Sequence, residues 1–397
     1  MTRVATVECF GLEAPLDTPF AYSQAWVTKR RAVLVRLETE DGTEGWGELF
    51  CQVPPAIYTT LVAELFAPLL LGADPWDRDA IWQRLYNATL DCGQRGLVVG
   101  ALSALDIALW DLVGKGCGQP VHRLLGGLSR PALTTYATGL YRTPGDDWTP
   151  ALAEEARGYV AAGFRTLKMK VGFGVGRDVA AVRAVRAAIG PDIALAVDAN
   201  HAYRPMQAVA LGHSLAPHDI AWFEEPVSPE DIAGYAAVRA RQPLPVAGGE
   251  LSTTRYGFRA LLEGGATDIL QPDLGLCGGL SEGRAIAELA RTWGVACWAH
   301  VWGTGVARAA AMHYLGWLPA QIAADEHDPP LLEWDCTPNP LREEITPDAR
   351  APVGGVIAVP TGPGLGATVD RAAVARYQVA HARVDARVLS LGGGTHA

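Results

Sequence analysis

The chain has 397 residues, 49 % hydrophobic and 19 % charged, which suits a soluble protein with a large core and two or three cooperating domains. Its formal net charge of −10 at pH 7 opposes nucleic acid and anionic membrane surfaces, and no basic patch offsets it. Only four residues are lysines (Lys29, Lys115, Lys168 and Lys170), in a chain that otherwise uses arginine, and two of the four lie one residue apart. Arginine holds its proton near neutral pH, whereas lysine can be made to release it, so the lysine pair either marks a place where a base is useful or is chance clustering in an arginine-biased composition.

Seven scattered cysteines with no C-x-x-C pair suggest a reducing, cytoplasmic setting. The start MTRVATVECF lacks the charged and apolar regions of a signal peptide, and no run of about 18 apolar residues is expected to span a bilayer.

Residues 1–130 read as an α+β unit. Apolar, β-branched runs at 4–12 and 32–38, with an Asp41-Gly42 turn before Gly45-Trp46-Gly47-Glu48, predict a β-meander. Helical periodicity follows at 57–71 and 97–113, the second stopping at Gly114-Lys115-Gly116. From about residue 131 to 340, short β-rich runs alternate with Ala/Leu/Arg-rich helices. The eight runs are YATG, TLKMKV, ALAVDAN, IAWFEEP, LPVAGGE, DILQPD, VACWAH and LLEWD, with seven helices between them, as a (β/α)8 TIM-type barrel requires. The segment 341–397 is rich in Pro and Gly, with a hairpin-like GGVIAVPTGPGLG and a helix predicted at 371–380. It is expected to fold back onto the N-terminal unit as part of a capping domain, with LGGGTHA at the end disordered.

Chemistry-bearing residues recur with this period. Lys168 and Lys170 end the second barrel strand, Asp198 and Asn200 the third, Glu224 and Glu225 the fourth, Glu250 the fifth, Asp273 the sixth, His300 the seventh and Glu333 the eighth. Strand C-termini of such a barrel converge on one mouth. Three carboxylates held there, Asp198, Glu224 and Glu250, repel unless neutralised, and an all-oxygen set favours one Mg2+ over zinc. Glu225 alternates to the opposite face from Glu224. Lys168 and Lys170, at i and i+2, share the interior face, where two ammonium groups with a cation nearby are expected to depress each other's pKa and free one as a base, or else merely to balance the three carboxylates. Asp273 beside His300 forms an acid/base dyad. Glu333 is either a protonated hydrogen-bond donor or a salt-bridge partner.

In combination, K-M-K (168–170), V-D-A-N (197–200), E-E-P (224–226), G-G-E (248–250), Q-P-D (271–273) and His300 resemble the enolase superfamily, within its mandelate racemase group. The resemblance implies that Lys170 is one base, with Lys168 near the substrate carboxylate. It further implies that Asp198, Glu224 and Glu250 bind Mg2+, that Asp273 and His300 form the second base, that Glu333 stabilises an enediolate and that Asn200 touches the substrate carboxylate. Muconate-lactonizing enzymes and dipeptide epimerases carry a lysine on the sixth strand, which this chain lacks.

Longer stretches at 93–97, 170–175, 198–203, 299–306 and 331–340 are similar to the galactarolactone cycloisomerase and acid-sugar dehydratase branch of that group. The expectation is therefore an Mg2+-dependent lyase or isomerase that removes the proton α to the carboxylate of an acid sugar or sugar-diacid lactone. A racemase or epimerase of a 2-hydroxy acid would use the same two-base site. A non-catalytic relative would be free to lose Lys170, Asp273 and His300. A metal-dependent hydrolase would show histidine ligands near the first strand, where residues 134–141 have none. The expected partner is a small-molecule carboxylate, with homo-oligomerisation possible within the family.

Overall fold

The computed structural model describes residues 2–320, 322 and 329–386; the LGGGTHA end lies outside them. Strands β1 (Val4–Ala21), β2 (Trp26–Thr39) and β3 (Glu44–Leu49) form the meander, with Gly42 at φ +81° in the β2–β3 turn. Both long strands overrun the apolar runs of the sequence, because β1 and β2 keep pairing out to Ala21 and Trp26 after an irregularity between Pro15 and Phe20. Helices α1 (Pro55–Leu61) and α2 (Ala67–Leu70) are joined by a π-helical turn, followed by α3 (Arg78–Ala88), α4 (Leu97–Gly116) and α5 (Val121–Leu125).

Helix α4 corrects one expectation, since it is 20 residues long and an 18-residue window of it has a mean hydropathy of 1.8, long and apolar enough to cross a membrane. Here the helix is core. Gly45 and Gly47 of β3 let its backbone approach so closely that a Cβ on Gly47 would sit 1.9 Å from the Ala104 carbonyl oxygen. On another side, Asp106 accepts hydrogen bonds from the backbone and hydroxyl of Ser281.

The barrel strands are β4 (Ala132–Thr138), β5 (Thr166–Lys170), β6 (Ala194–Asp198), β7 (Ile220–Glu224), β8 (Val246–Gly248), β9 (Ile269–Leu270), β10 (Ala296–Cys297) and β11 (Leu332–Asp335). They hydrogen-bond in parallel in the order β10-β9-β8-β7-β6-β5-β4-β11. Between them lie α6 (Thr149–Ala161), α7 (Val175–Ile189), α8 (Pro205–Leu215), α9 (Ile232–Arg241), α10 (Thr254–Glu263), α11 (Gly279–Trp293) and α12 (Gly305–Trp317). The two ends of this run approach each other at the mouth, where the Val301 amide donates to Glu333 of β11 at 2.9 Å. This is the eight-strand barrel the alternation predicts.

After β11 come a short helix (Pro340–Ile345), β12 (Val356–Ala358) antiparallel on β4, a second short helix (Arg371–Tyr377) and β13 (Gln378–Asp385). The predicted helix 371–380 stops at Tyr377. From Gln378 the chain pairs antiparallel with β1, and those long-range hydrogen bonds outweigh local helical periodicity. The tail thereby joins the antiparallel sheet, in the order β13-β1-β2-β3, and completes the α+β cap.

Candidate active site

Asp198 and Glu224 end β6 and β7, and Glu250 follows β8, so parallel pairing brings them side by side: Lys170 pairs with Asp198 and Asp198 with Glu224. Ligand oxygens of Asp198, Glu224 and Glu250 all lie within 4.8 Å of one another, and all three residues are buried. Trp222 Nε1 and Gln271 Nε2 hold Glu224 Oε2 at 2.9 and 2.8 Å, and the Asn200 amide holds Asp198 Oδ1 at 2.8 Å. Burial raises Glu224 above the usual carboxylate range and lifts Glu250 to about 7, with Asp198 and Glu224 adding to the rise; a neighbouring cation would remove that cost. Three crowded oxygen donors with fixed orientation fit a hard divalent cation such as Mg2+.

Both lysines point into the barrel, while Met169 between them is buried in the outer core. Lys170 Nζ donates to Asp198 and Lys168 Nζ to Glu224; Lys168 also lies 2.9 Å from Glu333 Oε1 and 3.7 Å from Asp198 Oδ2. Lys168 does pull Lys170 down, as expected of two adjacent ammonium groups, but it is not the dominant neighbour. Burial pulls both ammonium groups down, but Asp198 raises Lys170, and Glu224 with Glu333 raises Lys168 well above the ordinary value. Carboxylates in direct contact outweigh the second ammonium.

His300 Nδ1 stands 2.6 Å from Asp273 Oδ2, and Asp273 Oδ1 accepts from the Gly275 amide at 2.7 Å. An Nδ1–H donated to Asp273 leaves Nε2 facing the cavity, 3.4 Å from Glu250 and 3.9 Å from Glu333. Burial lowers the imidazole pKa, yet Glu250, Glu333 and Asp273 together lift it to about 10, the dyad aspartate coming after the other two. Glu333 accepts from Thr138 Oγ1 at 2.6 Å and from the Val301 amide. Against burial, Lys168 and His300 hold Glu333 at about 2, so among the side chains around it Glu333 acts as an acceptor.

Residues 4–126 match the family described as mandelate racemase / muconate lactonizing enzyme, N-terminal domain, and residues 151–373 match the enolase C-terminal domain-like family. The chain belongs to the enolase superfamily. It is 44 % identical to D-galactarolactone cycloisomerase of Agrobacterium fabrum over 95 % of this chain and 99 % of that protein. It is 32 % identical to arabinonate dehydratase of Saccharolobus solfataricus over 85 % and 88 %. The structure of 3,6-anhydro-D-galactonate cycloisomerase from Zobellia galactanivorans superposes with a TM-score of 0.86 at 38 % identity, covering 95 % of this chain and 99 % of that one.

As in other enolase-superfamily chains, a cap covers the barrel mouth. The segment between β1 and β2 docks on the loop after β6: Ser23 Oγ donates to the Ala199 carbonyl at 2.8 Å and Gln24 Nε2 to the Asn200 carbonyl at 2.9 Å. A cavity of about 360 Å³ results, where Tyr22, Trp26, Phe50 and Gln52 of the cap face Lys170, Asn200 and His300. Asn200 stands at φ +42° with a buried Oδ1 that accepts no hydrogen bond among the described residues, leaving it available to a ligand.

Sequence reasoning misplaced Glu225. Its φ of +41° breaks strand alternation, and the side chain turns toward Glu250 and Asp198 with both oxygens unpartnered among the described residues. It also missed Tyr141, whose ring centroid lies 5.2 Å from Lys170 Nζ, and Glu48 of β3, buried against the loop that follows His300. For Tyr141 no local signal exists. Glu48 was visible as a charge in an otherwise apolar G-W-G-E-L-F strand end.

Proposed function

We propose that the chain is an Mg2+-dependent lyase or isomerase that removes the proton α to the carboxylate of an acid sugar or sugar-diacid lactone, cycloisomerase-like or dehydratase-like in outcome. The observation that carries this reading is one cavity in which Lys170 and His300 stand on either side of the Asp198/Glu224/Glu250 cluster, Lys170 touching Asp198 and His300 Nε2 facing Glu250. Asp198, Glu224 and Glu250 would hold the ion, which when bound supplies Lewis-acid stabilisation for charge on the substrate carboxylate.

Lys168 donates to that carboxylate and Asn200 orients it. Glu333 donates in its protonated form, which a substrate anion beside it favours by like-charge repulsion. Lys170 or His300 takes the α-proton on one face. The electron pair expels a β-hydroxyl or the ring oxygen, the conjugate acid of the other base protonates the departing oxygen, and the enol product tautomerises to a 2-keto-3-deoxy acid. The relatives' names and the seven free thiols are in keeping with this reading in a reducing compartment.

A screen of hexarates, their lactones and aldonates with Mg2+ is expected to yield 2-keto-3-deoxy products, detected as semicarbazones. Exchange of the α-hydrogen in D2O without any keto product would instead assign racemisation or epimerisation of a 2-hydroxy acid, and no turnover or exchange of any member would overturn the proposal.

A further inference from the structure

A second cavity, about 570 Å³, lies outside the barrel mouth between α12 and the segment 346–368. Its wall is largely apolar, with Ala309 and Met312 from α12 opposite Ile357 and Val359. Three charged residues line it. Asp348 and Arg350 are exposed at the rim, whereas Arg308 is only 7 % exposed.

Arg308 is unlike its neighbours. Arg30 and Arg342 each ion-pair with Asp335 at 2.8 Å, and Thr337 occupies the other oxygen of that carboxylate. Arg308 has, among the described residues, no hydrogen-bond acceptor and no carboxylate within ion-pair distance; its guanidinium lies over the Trp334 ring, 4.1 Å from the centroid. Burial, reinforced by the charge of Arg342, pulls it down to about 10, with only partial compensation from the more distant carboxylates of Asp335 and Glu48. A guanidinium with no carboxylate in direct contact is incompletely compensated, and a planar fork with five donors is suited to a carboxylate.

We infer that this cavity binds a small amphipathic carboxylate, its head group on Arg308 and its aliphatic body along Ala309, Met312, Ile357 and Val359. The site is separate from the mouth and does not rest on the proposed reaction. A neutral or cationic molecule of the same shape leaves Arg308 unanswered and is disfavoured.

The test uses the full chain with Mg2+ and hexanoate as the probe, with hexanol and hexylamine as controls, read by isothermal titration calorimetry. The wild type is expected to bind hexanoate saturably and more tightly than either control. Arg308→Met should weaken hexanoate by about tenfold or more, the loss of a charge-assisted contact, without weakening hexanol. Should that variant fail to fold, Ala309→Leu, which narrows the cavity and leaves Arg308 in place, should weaken hexanoate and hexanol alike. Lys170→Ala, which alters the mouth and not this cavity, should leave the affinity for hexanoate unchanged. Equal hexanoate affinity in Arg308→Met, or loss of binding in Lys170→Ala, would overturn the inference. So would the absence of saturable heat, or a concentration-dependent dimer in sedimentation that Arg308→Met abolishes, which would make this face a contact between two copies of the chain.

Discussion

At the residue scale, the two bases differ in what holds them. Lys170 leans on Asp198 and the face of Tyr141, whereas His300 is oriented by Asp273, itself pinned by the Gly275 amide. If each serves one face of the substrate, Lys170→Ala and His300→Asn should each lower turnover by about 10²–10⁴, the usual contribution of a general acid or base. NMR of α-hydrogen exchange in D2O should then show that each variant retains exchange with only one configuration at the reacting carbon. Loss of both exchanges in both variants, with the fold intact by circular dichroism, would contradict separate roles. The spacing of 23 to 28 residues between successive charged strand ends from Lys170 to His300 made nearly all of these residues legible, because period-two alternation on a parallel strand fixes which side chains face the mouth. Glu225 was not legible. Alternation assumes extended backbone, and a positive φ at that residue re-aims its side chain.

At the element scale, α12 is the part of the barrel most tied to the cap. Glu48 of β3 accepts hydrogen bonds from the Thr304 and Ala307 amides at 2.8 and 2.9 Å and from the Thr304 hydroxyl at 2.6 Å, placing a carboxylate at the helix N-terminus. Phe50, two residues on, packs edge-on to His300 with ring centroids 5.4 Å apart. Glu48→Ala should therefore cost about 1–3 kcal/mol in urea unfolding, the price of leaving buried amides unanswered. It should also slow exchange on the His300 face more than on the Lys170 face; equal slowing of the two would mean that Glu48 acts on stability alone.

Farther along α12, His313 stacks on His122, accepts from the His122 amide at 3.2 Å and holds the Leu365 carbonyl through Nε2 at 3.1 Å. This arrangement needs a neutral ring with Nε2–H, and burial lowers His313 from its ordinary 6.5 to about 4. Its contribution is complete above pH 6.5 and falls as pH drops toward 4, because the unfolded chain takes up the proton first. Across that window the loss is about 3 kcal/mol. Urea midpoints measured from pH 7 to 4 should fall more steeply for the wild type than for His313→Gln, and parallel curves would remove His313 from the acid response.

At the scale of the whole molecule, the cap is assembled from both ends of the chain. β13 pairs with β1 from Thr6↔Asp385 to Leu12↔Gln378 and thereby covers the sheet edge. Truncation after Tyr377 should expose the β1 edge, and sedimentation velocity is expected to show concentration-dependent association absent from the full chain. A monodisperse truncated protein with unchanged stability would show that β13 is dispensable.

The sequence by itself determined the eight-strand alternation, the convergence of Lys168, Lys170, Asp198, Glu224, Glu250, Asp273, His300 and Glu333 on one mouth, and the superfamily, because strand period and loop punctuation are local properties. Only the tertiary structure decided which charged groups touch and the boundaries that depend on distant partners. The partner of Lys170 is a carboxylate 28 residues away, and whether residues 378–385 are helix or strand is decided by pairing with β1, far away in sequence. The Arg308 cavity belongs to the same class. That no carboxylate among the described residues is in direct contact with this guanidinium follows only from how distant segments pack around it.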